Sequence, residues 1–351
     1  MKTLFLADQF ADAPRTAGDP YPGGAELTDK VAIAACPWPI ETAKIEGFDP
    51  SLLREFELVV VGNAARASEP LLAALVAHGR HVLFEHDLRI CLYNGNFPSA
   101  RDPVHRSAQR CWCPHGPWQR VYDTALGVVY LTELQRRHYE ANPYFRTPRS
   151  AVLGCSLFSK ELFERHRLLR SKERRGTCVM FSRNAIKGYR EAVAHCRRLG
   201  ITPIEIRDRT PEQVLDLFEF SERFVYLPIG LEPAGRMPVE ARLLGCEVIV
   251  NDNVGVAGEP WWSSGDRAGI GWLEDAPARF WREVEAFARS GPQHSARGSS
   301  PPRLVTAIAT TLRRSFIPPR LWSLPTPQVR RRRTSLQRVE GWESRSSNAQ
   351  V

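Results

Sequence analysis

Two hydrophobic patterns alternate along the chain. Short apolar runs of strand length are separated by longer stretches in which apolar positions recur every three or four residues, as on one face of a helix. In the first half the runs are Thr3–Ala7, Leu58–Val61, His81–Phe84, Val128–Leu131 and Ala151–Leu153, with helical stretches such as Ala25–Ala35, Glu69–His78 and Glu133–Glu140 between them. A charged stretch around 160–175, containing LFERHRLLRSKERRG, reads as a link. A second series follows. Its strands are Thr177–Phe181, Glu205–Ile206, Phe224–Leu227 and Glu247–Val250, and its helices are Tyr189–Leu199, Pro211–Phe218, Arg236–Leu244 and Ala276–Ala288.

Near-continuous apolar strands alternating with helices predict an α/β fold with parallel sheets. The two series predict two Rossmann-like domains facing a cleft, over residues 1–160 and 161–290, and 351 residues suffice for two cores. Beyond 290 the pattern stops. Residues 291–351 read as a disordered Arg/Ser/Pro-rich tail, in which 304–314 has room for a turn or two of helix.

Charge changes this picture little. The formal net charge is +9, but the tail holds eleven arginines, no lysine and only Glu340 and Glu343 as acids, which is +9 by itself. The body is therefore neutral, and the basic balance says nothing about a nucleic-acid surface on the folded part. No run approaches the ~18 apolar residues of a membrane span. The opening MKTLFLADQFAD reads as a first strand and not as a signal peptide. Eight scattered cysteines, with Cys178 and Cys246 in or beside strand-like runs, suggest buried thiols and a reducing, cytoplasmic setting.

In open parallel sheets ligands bind beyond the carboxyl ends of the strands, so the residues that follow each strand carry the candidate chemistry. After the first strand comes DPYPGGAELTDK. Gly23 and Gly24 let the backbone turn and approach a ligand at a helix N-terminus, where free amides favour an anion. After the third comes Glu85-His86-Asp87, where His86 is suited to exchange a proton near neutral pH. In the second series FSRNAIKGY puts Arg183 and Lys187 just before a helix, two cations that suit a pyrophosphate. Each of these has a plain alternative, a turn or a solvated loop. LEPAGRMPVEARLLGCEVIVND, residues 231–252, places Glu232 in a loop and Glu240 a turn into the next helix, separated by roughly 10 Å of chain path. Carboxylates accept paired hydrogen bonds from vicinal hydroxyls, so two of them suit two sugars of one molecule. Gly235 between them lets the backbone pass close to phosphates. A carboxylate near a helix start also simply favours the helix dipole.

This last segment resembles the signature of retaining, family-4-type glycosyltransferases of the GT-B fold, which carry a Glu-x7-Glu motif. Pro238, Glu240-Ala241, Gly245 and the strand Val248–Val250 fall where that family has Pro, Glu-Ala, Gly and a strand, and Glu259 after Gly255 matches a recurrent position. YPGGAE is similar to the family's first-domain glycine loop, His86-Asp87 to its strand-end His, Thr132 to its strand-end Ser or Thr, and Arg183 with Lys187-Gly188 to its phosphate clamp. The pieces keep the family's order over about residues 3–260. The chain departs from the pattern in three places. Arg183 and Lys187 are one residue closer than usual, Arg236 stands at a commonly apolar position, and the chain after 290 lacks a clear final helix returning to the first domain.

The resemblance implies transfer of a hexosyl-type sugar from a nucleotide-diphosphate sugar to an acceptor with retention, and with no cofactor or metal required. Arg183 and Lys187 would neutralise the leaving diphosphate. Glu240 would bind the nucleotide ribose, and Glu232 hydroxyls of the transferred sugar. Gly23 and Gly24 would let the first, acceptor-side domain close on the phosphates, and His86 would touch sugar or acceptor. A sugar-nucleotide epimerase of the same fold would share these sites. A nucleic-acid-binding protein acting through Arg330–Arg333 of the tail is the reading from another class.

One further cluster, Cys91, Cys111, Cys113 and His115, has ligand types for a structural zinc. Its Cys-x-Cys spacing is less common than Cys-x-x-Cys, and the alternative is an irregular loop with thiols packed under Trp112 and Trp118.

Overall fold

The structure, a computed structural model, describes residues 1–14, 21–93, 95, 110–114, 116–146, 148–169, 173–263 and 266–291. Residues 292–351 of the tail read as disordered, and His115, lie outside these residues. The first series forms β1 (Thr3–Ala7), α1 (Gly24–Ala34), β2 (Ile40–Lys44), β3 (Leu58–Val61), α2 (Glu69–His78) and β4 (His81–Glu85), then α3 (Trp118–Thr124), β5 (Gly127–Tyr130), α4 (Glu133–Glu140) and β6 (Ser150–Val152). The second forms α5 (Lys160–Arg167), β7 (Thr177–Met180), α6 (Tyr189–Arg198), β8 (Ile204–Ile206) and α7 (Pro211–Phe220), then β9 (Arg223–Tyr226), α8 (Arg236–Leu243), β10 (Glu247–Val250), α9 (Pro260–Ser263) and α10 (Asp266–Ser290).

Every described strand pairing is parallel. The first sheet runs β2-β1-β3-β4-β5-β6 and the second β10-β9-β7-β8. These are two Rossmann-like lobes, the architecture the periodicity predicts. The inner strands β1, β3, β4 and β5 are buried on both faces, which is why their sequences run apolar without alternation. Helix ends obey local chemistry. Ser68 and Thr132 cap α2 and α4, Gly79 closes α2 at φ +64°, and Thr210 with Gln213 forms a reciprocal capping box on α7.

The pattern missed β2, α3 and α5. The edge strand β2 buries none of its residues fully, so its sequence IETAK carries no apolar run. α5 lies inside the stretch read as a link. It buries only Leu162 and Phe163, and its charges hide the helix.

The helix expected at Ala276–Ala288 is longer, beginning at Asp266 and passing through Pro277, a residue that reads as a helix start in sequence. It lies in the range assigned to the second domain but packs on the first sheet. Phe280 meets Phe84 with ring centroids 4.5 Å apart, Trp281 Nε1 donates to the Ala32 carbonyl at 2.8 Å, and Phe287 covers Gly127, where any Cβ would collide with its ring. Phe280, Trp281, Val284 and Phe287 are all buried. At ~2 kcal/mol per large apolar side chain their burial contributes on the order of 8 kcal/mol before the entropy of ordering the helix. The final helix missing after residue 290 is therefore α10 itself, which crosses back and ties the lobes into one compact unit over 1–295. One hydrophobic cluster accordingly runs from Phe5 and Val60 in the first lobe to Phe224 and Val239 in the second. Among the described residues no helix is long and apolar enough to cross a membrane.

Candidate functional site

The site begins where β4 ends. His86 is 8 % exposed, and its Nε2 lies 2.6 Å from Oδ1 of Asp29, a fully buried residue of α1. Burial opposes charge on the imidazole, but the Asp29 carboxylate, its hydrogen bond and the nearby Asp87 outweigh it, and His86 titrates above its ordinary range. Gly62, at the end of β3, makes room for this pair, since a Cβ there would lie 2.8 Å from Asp29 Oδ2. The neighbouring Glu85 points to the other side of the strand. It accepts from Tyr122 at 2.9 Å and from Tyr139, with Arg89 Nε 3.5 Å away. Arg89 also donates to the carbonyls of Gly62 and Phe84 and lies over the Trp118 ring, so the loop after β4 is held rigidly.

The second lobe answers with Lys187 and Glu232. Lys187 ends a short 3-10 turn after β7, and its Nζ lies 2.6 Å from Glu232 Oε2, which also accepts from the Tyr226 hydroxyl. Burial works against the ammonium, yet Glu232 and Asp87 hold its pKa above the usual lysine range. The next residue, Gly188, has φ +70°, and a Cβ there would strike the Leu227 carbonyl at the end of β9. Only glycine lets the Lys187 turn sit this close to the Glu232 loop. That loop is fastened by Glu232 N–H to the Asn253 carbonyl at 2.9 Å and by Gly255 N–H to the Glu232 carbonyl at 2.9 Å. Gly235 is buried against Glu232, a Cβ there lying 3.2 Å from its Cγ.

Asp87 joins the halves. It comes from the first lobe, is exposed, and lines a first-lobe cavity. Loss of bulk water raises its pKa, Lys187 pulls it down, and Glu232 pushes it up again. A first-lobe carboxylate thus lies within electrostatic reach of the Lys187–Glu232 pair of the second lobe.

A second meeting point involves the glycine loop. Gly23 and Gly24 begin α1, and the Thr28 hydroxyl donates to the Gly24 carbonyl at 2.7 Å. Against them lies Arg236, whose Cδ would be 3.4 Å from a Cβ on Gly24. Its guanidinium reaches Thr28 Oγ1 at 3.3 Å, the Leu157 carbonyl and Glu240 Oε1 at 3.2 Å, and lies over the Phe158 ring. Burial lowers its pKa against the pull of Glu240. The departure at 236 is therefore a cation bridging the lobes and engaging the second acid of the motif.

The Thr132 hydroxyl donates to the Pro233 carbonyl at 2.6 Å, and Glu259 accepts from the Glu133 N–H at 2.7 Å, capping α4 from the other lobe. Arg183 is exposed and joins neither group in this conformation. Periodicity and motifs missed Asp29 and Tyr226. Asp29 had one signal, an acid in the middle of an apolar helix face. On the first lobe a cavity of about 410 Å³ is lined by Asn63, His86, Asp87, Arg89, Cys91 and Trp118, among others. Cys91, Cys111 and Cys113 cluster beside it.

No family model matches the sequence, and no curated protein matches it significantly. Solved structures do. A glycosyltransferase of avilamycin A biosynthesis is 14 % identical, covers 83 % of this chain and 99 % of its own, and has a TM-score of 0.46. HepE from Anabaena, in complex with UDP and glucose, is 15 % identical with coverages of 88 % and 100 % and a TM-score of 0.43. A UDP-forming α,α-trehalose-phosphate synthase from Burkholderia xenovorans, in complex with glucose-6-phosphate, is 12 % identical with coverages of 82 % and 95 % and a TM-score of 0.47.

Proposed function

We propose that the chain is a glycosyltransferase that uses a nucleotide-diphosphate sugar as donor. The observation that carries this reading is the Lys187–Glu232 ion pair of the second lobe, which acts electrostatically on Asp87 of the first, all three residues following the carboxyl ends of parallel strands. In transfer the bond between the sugar's anomeric carbon and the diphosphate breaks, and its electron pair leaves on a phosphate oxygen. Lys187, with Arg183 swinging in from the surface, supplies positive charge where that negative charge grows. An acceptor hydroxyl bonds to the anomeric carbon and gives up its proton. In the retaining course the acceptor attacks the face the diphosphate leaves, and a departing phosphate oxygen takes that proton. Glu232 holds hydroxyls of the transferred sugar, and Glu240 the ribose. His86, oriented by Asp29, contacts the sugar or acceptor from the first-lobe cavity, whose volume suits one or two sugar rings.

The test is release of nucleoside diphosphate and appearance of glycosylated product with a panel of donors and acceptors. Glu232→Ala and Glu240→Ala should each abolish transfer while circular dichroism stays native. Full activity in both variants overturns the assignment.

A further inference from the structure

We propose that Cys91, Cys111 and Cys113 form a structural zinc site that fixes the loop wall of the first-lobe cavity. The three sulfurs lie within 4.8 Å of one another, and the residues are 2 %, 0 % and 3 % exposed. Thiolates around a tetrahedral zinc, with Zn–S about 2.3 Å, stand about 3.8 Å apart, so a contraction of about an ångström or less brings all three onto one ion. A fourth donor comes from beyond these three.

Each sulfur of the cluster has an N–H group aimed at it. Tyr93 N–H points at Cys91 Sγ (3.4 Å), Leu92 N–H at Cys113 Sγ (3.4 Å) and Cys113 N–H at Cys111 Sγ (3.3 Å), and Asn142 Nδ2 also reaches Cys111 Sγ (3.6 Å). Metal binding displaces the thiol protons, and N–H groups aimed at the sulfurs then orient them as ligands. Asn142 also donates to the Cys113 carbonyl at 3.0 Å, joining the cluster to the end of α4. Cys91 follows the rigid Arg89 turn and lines the cavity, so an ion here would pin the wall on which an acceptor rests.

The experiment is metal analysis of the purified full chain, followed by cobalt titration of the chelator-treated chain under reducing conditions. About one zinc per chain in the wild type, lost in Cys111→Ser, supports the site. For a chain purified without metal, support is uptake of one Co²⁺ with a thiolate-to-cobalt charge-transfer band. The site is overturned by less than about a tenth of a zinc per chain together with no such band, or by a disulfide between two of the three cysteines in the chain as purified.

Discussion

Replacing Lys187 by alanine removes the cation assigned to the diphosphate. In the ligand-free chain its ammonium is 2.6 Å from Glu232 Oε2 and its side chain is 34 % exposed, so it is both held and open to an incoming anion. A charge-assisted hydrogen bond contributes about 1.5–3 kcal/mol. With a third of the side chain open to solvent the lower end applies, about 1.5 kcal/mol or roughly tenfold in Kd. The substitution also leaves Asp87 and Glu232 uncompensated beside the phosphates, so tenfold is a lower bound. Isothermal titration with the nucleoside diphosphate that binds the wild type gives the number. Lys187→Arg should retain most of the affinity, and Lys160→Ala, at the first turn of α5, serves as control. A folded Lys187→Ala protein whose Kd lies within about twofold of wild type would refute the reasoning.

Asp29→Asn should drop the His86 titration below the ordinary histidine range, because burial then acts with less opposition, and histidine NMR shifts against pH read it directly. In the wild type the raised His86 pKa contributes stability that is fully present below about pH 6.5 and fades as pH rises through the folded value; in Asp29→Asn denaturant midpoints should lose that slope. Gly188→Ala and Gly200→Ala both place alanine at φ +70°, but only at 188 does a Cβ meet the Leu227 carbonyl, while nothing lies within 4 Å at 200. Strain alone costs about 1–2 kcal/mol, so thermal unfolding should show Gly188→Ala as clearly the worse of the two; equal losses would contradict the packing.

Much of the architecture was legible because its inner strands are buried on both faces, as in VVV of Val59–Val61, and its longer helices repeat apolar positions every three or four residues. Helix α5 was not, since two buried side chains among charges leave no period to read. The Glu232 segment announced itself through its acids and glycine, and Lys187 through its place after a strand. What sequence order does not carry is which side chains meet. Asp29 finds His86 57 positions away, and Arg236 finds Thr28 208 positions away. The return of α10 to the first sheet was hidden for the same reason, because a helix's period tells which face is apolar and not what covers it.

The most direct measurement is thermal unfolding of the full chain with sugar-linked nucleoside diphosphates, bare diphosphates and monophosphates. At a ligand concentration of ~100 Kd, binding stabilises the native state by about 2.7 kcal/mol. The account predicts that at least one diphosphate and its sugar conjugate raise the midpoint by several degrees while the matching monophosphate does so far less. A flat response to every nucleotide, with a cooperative native transition, would contradict it.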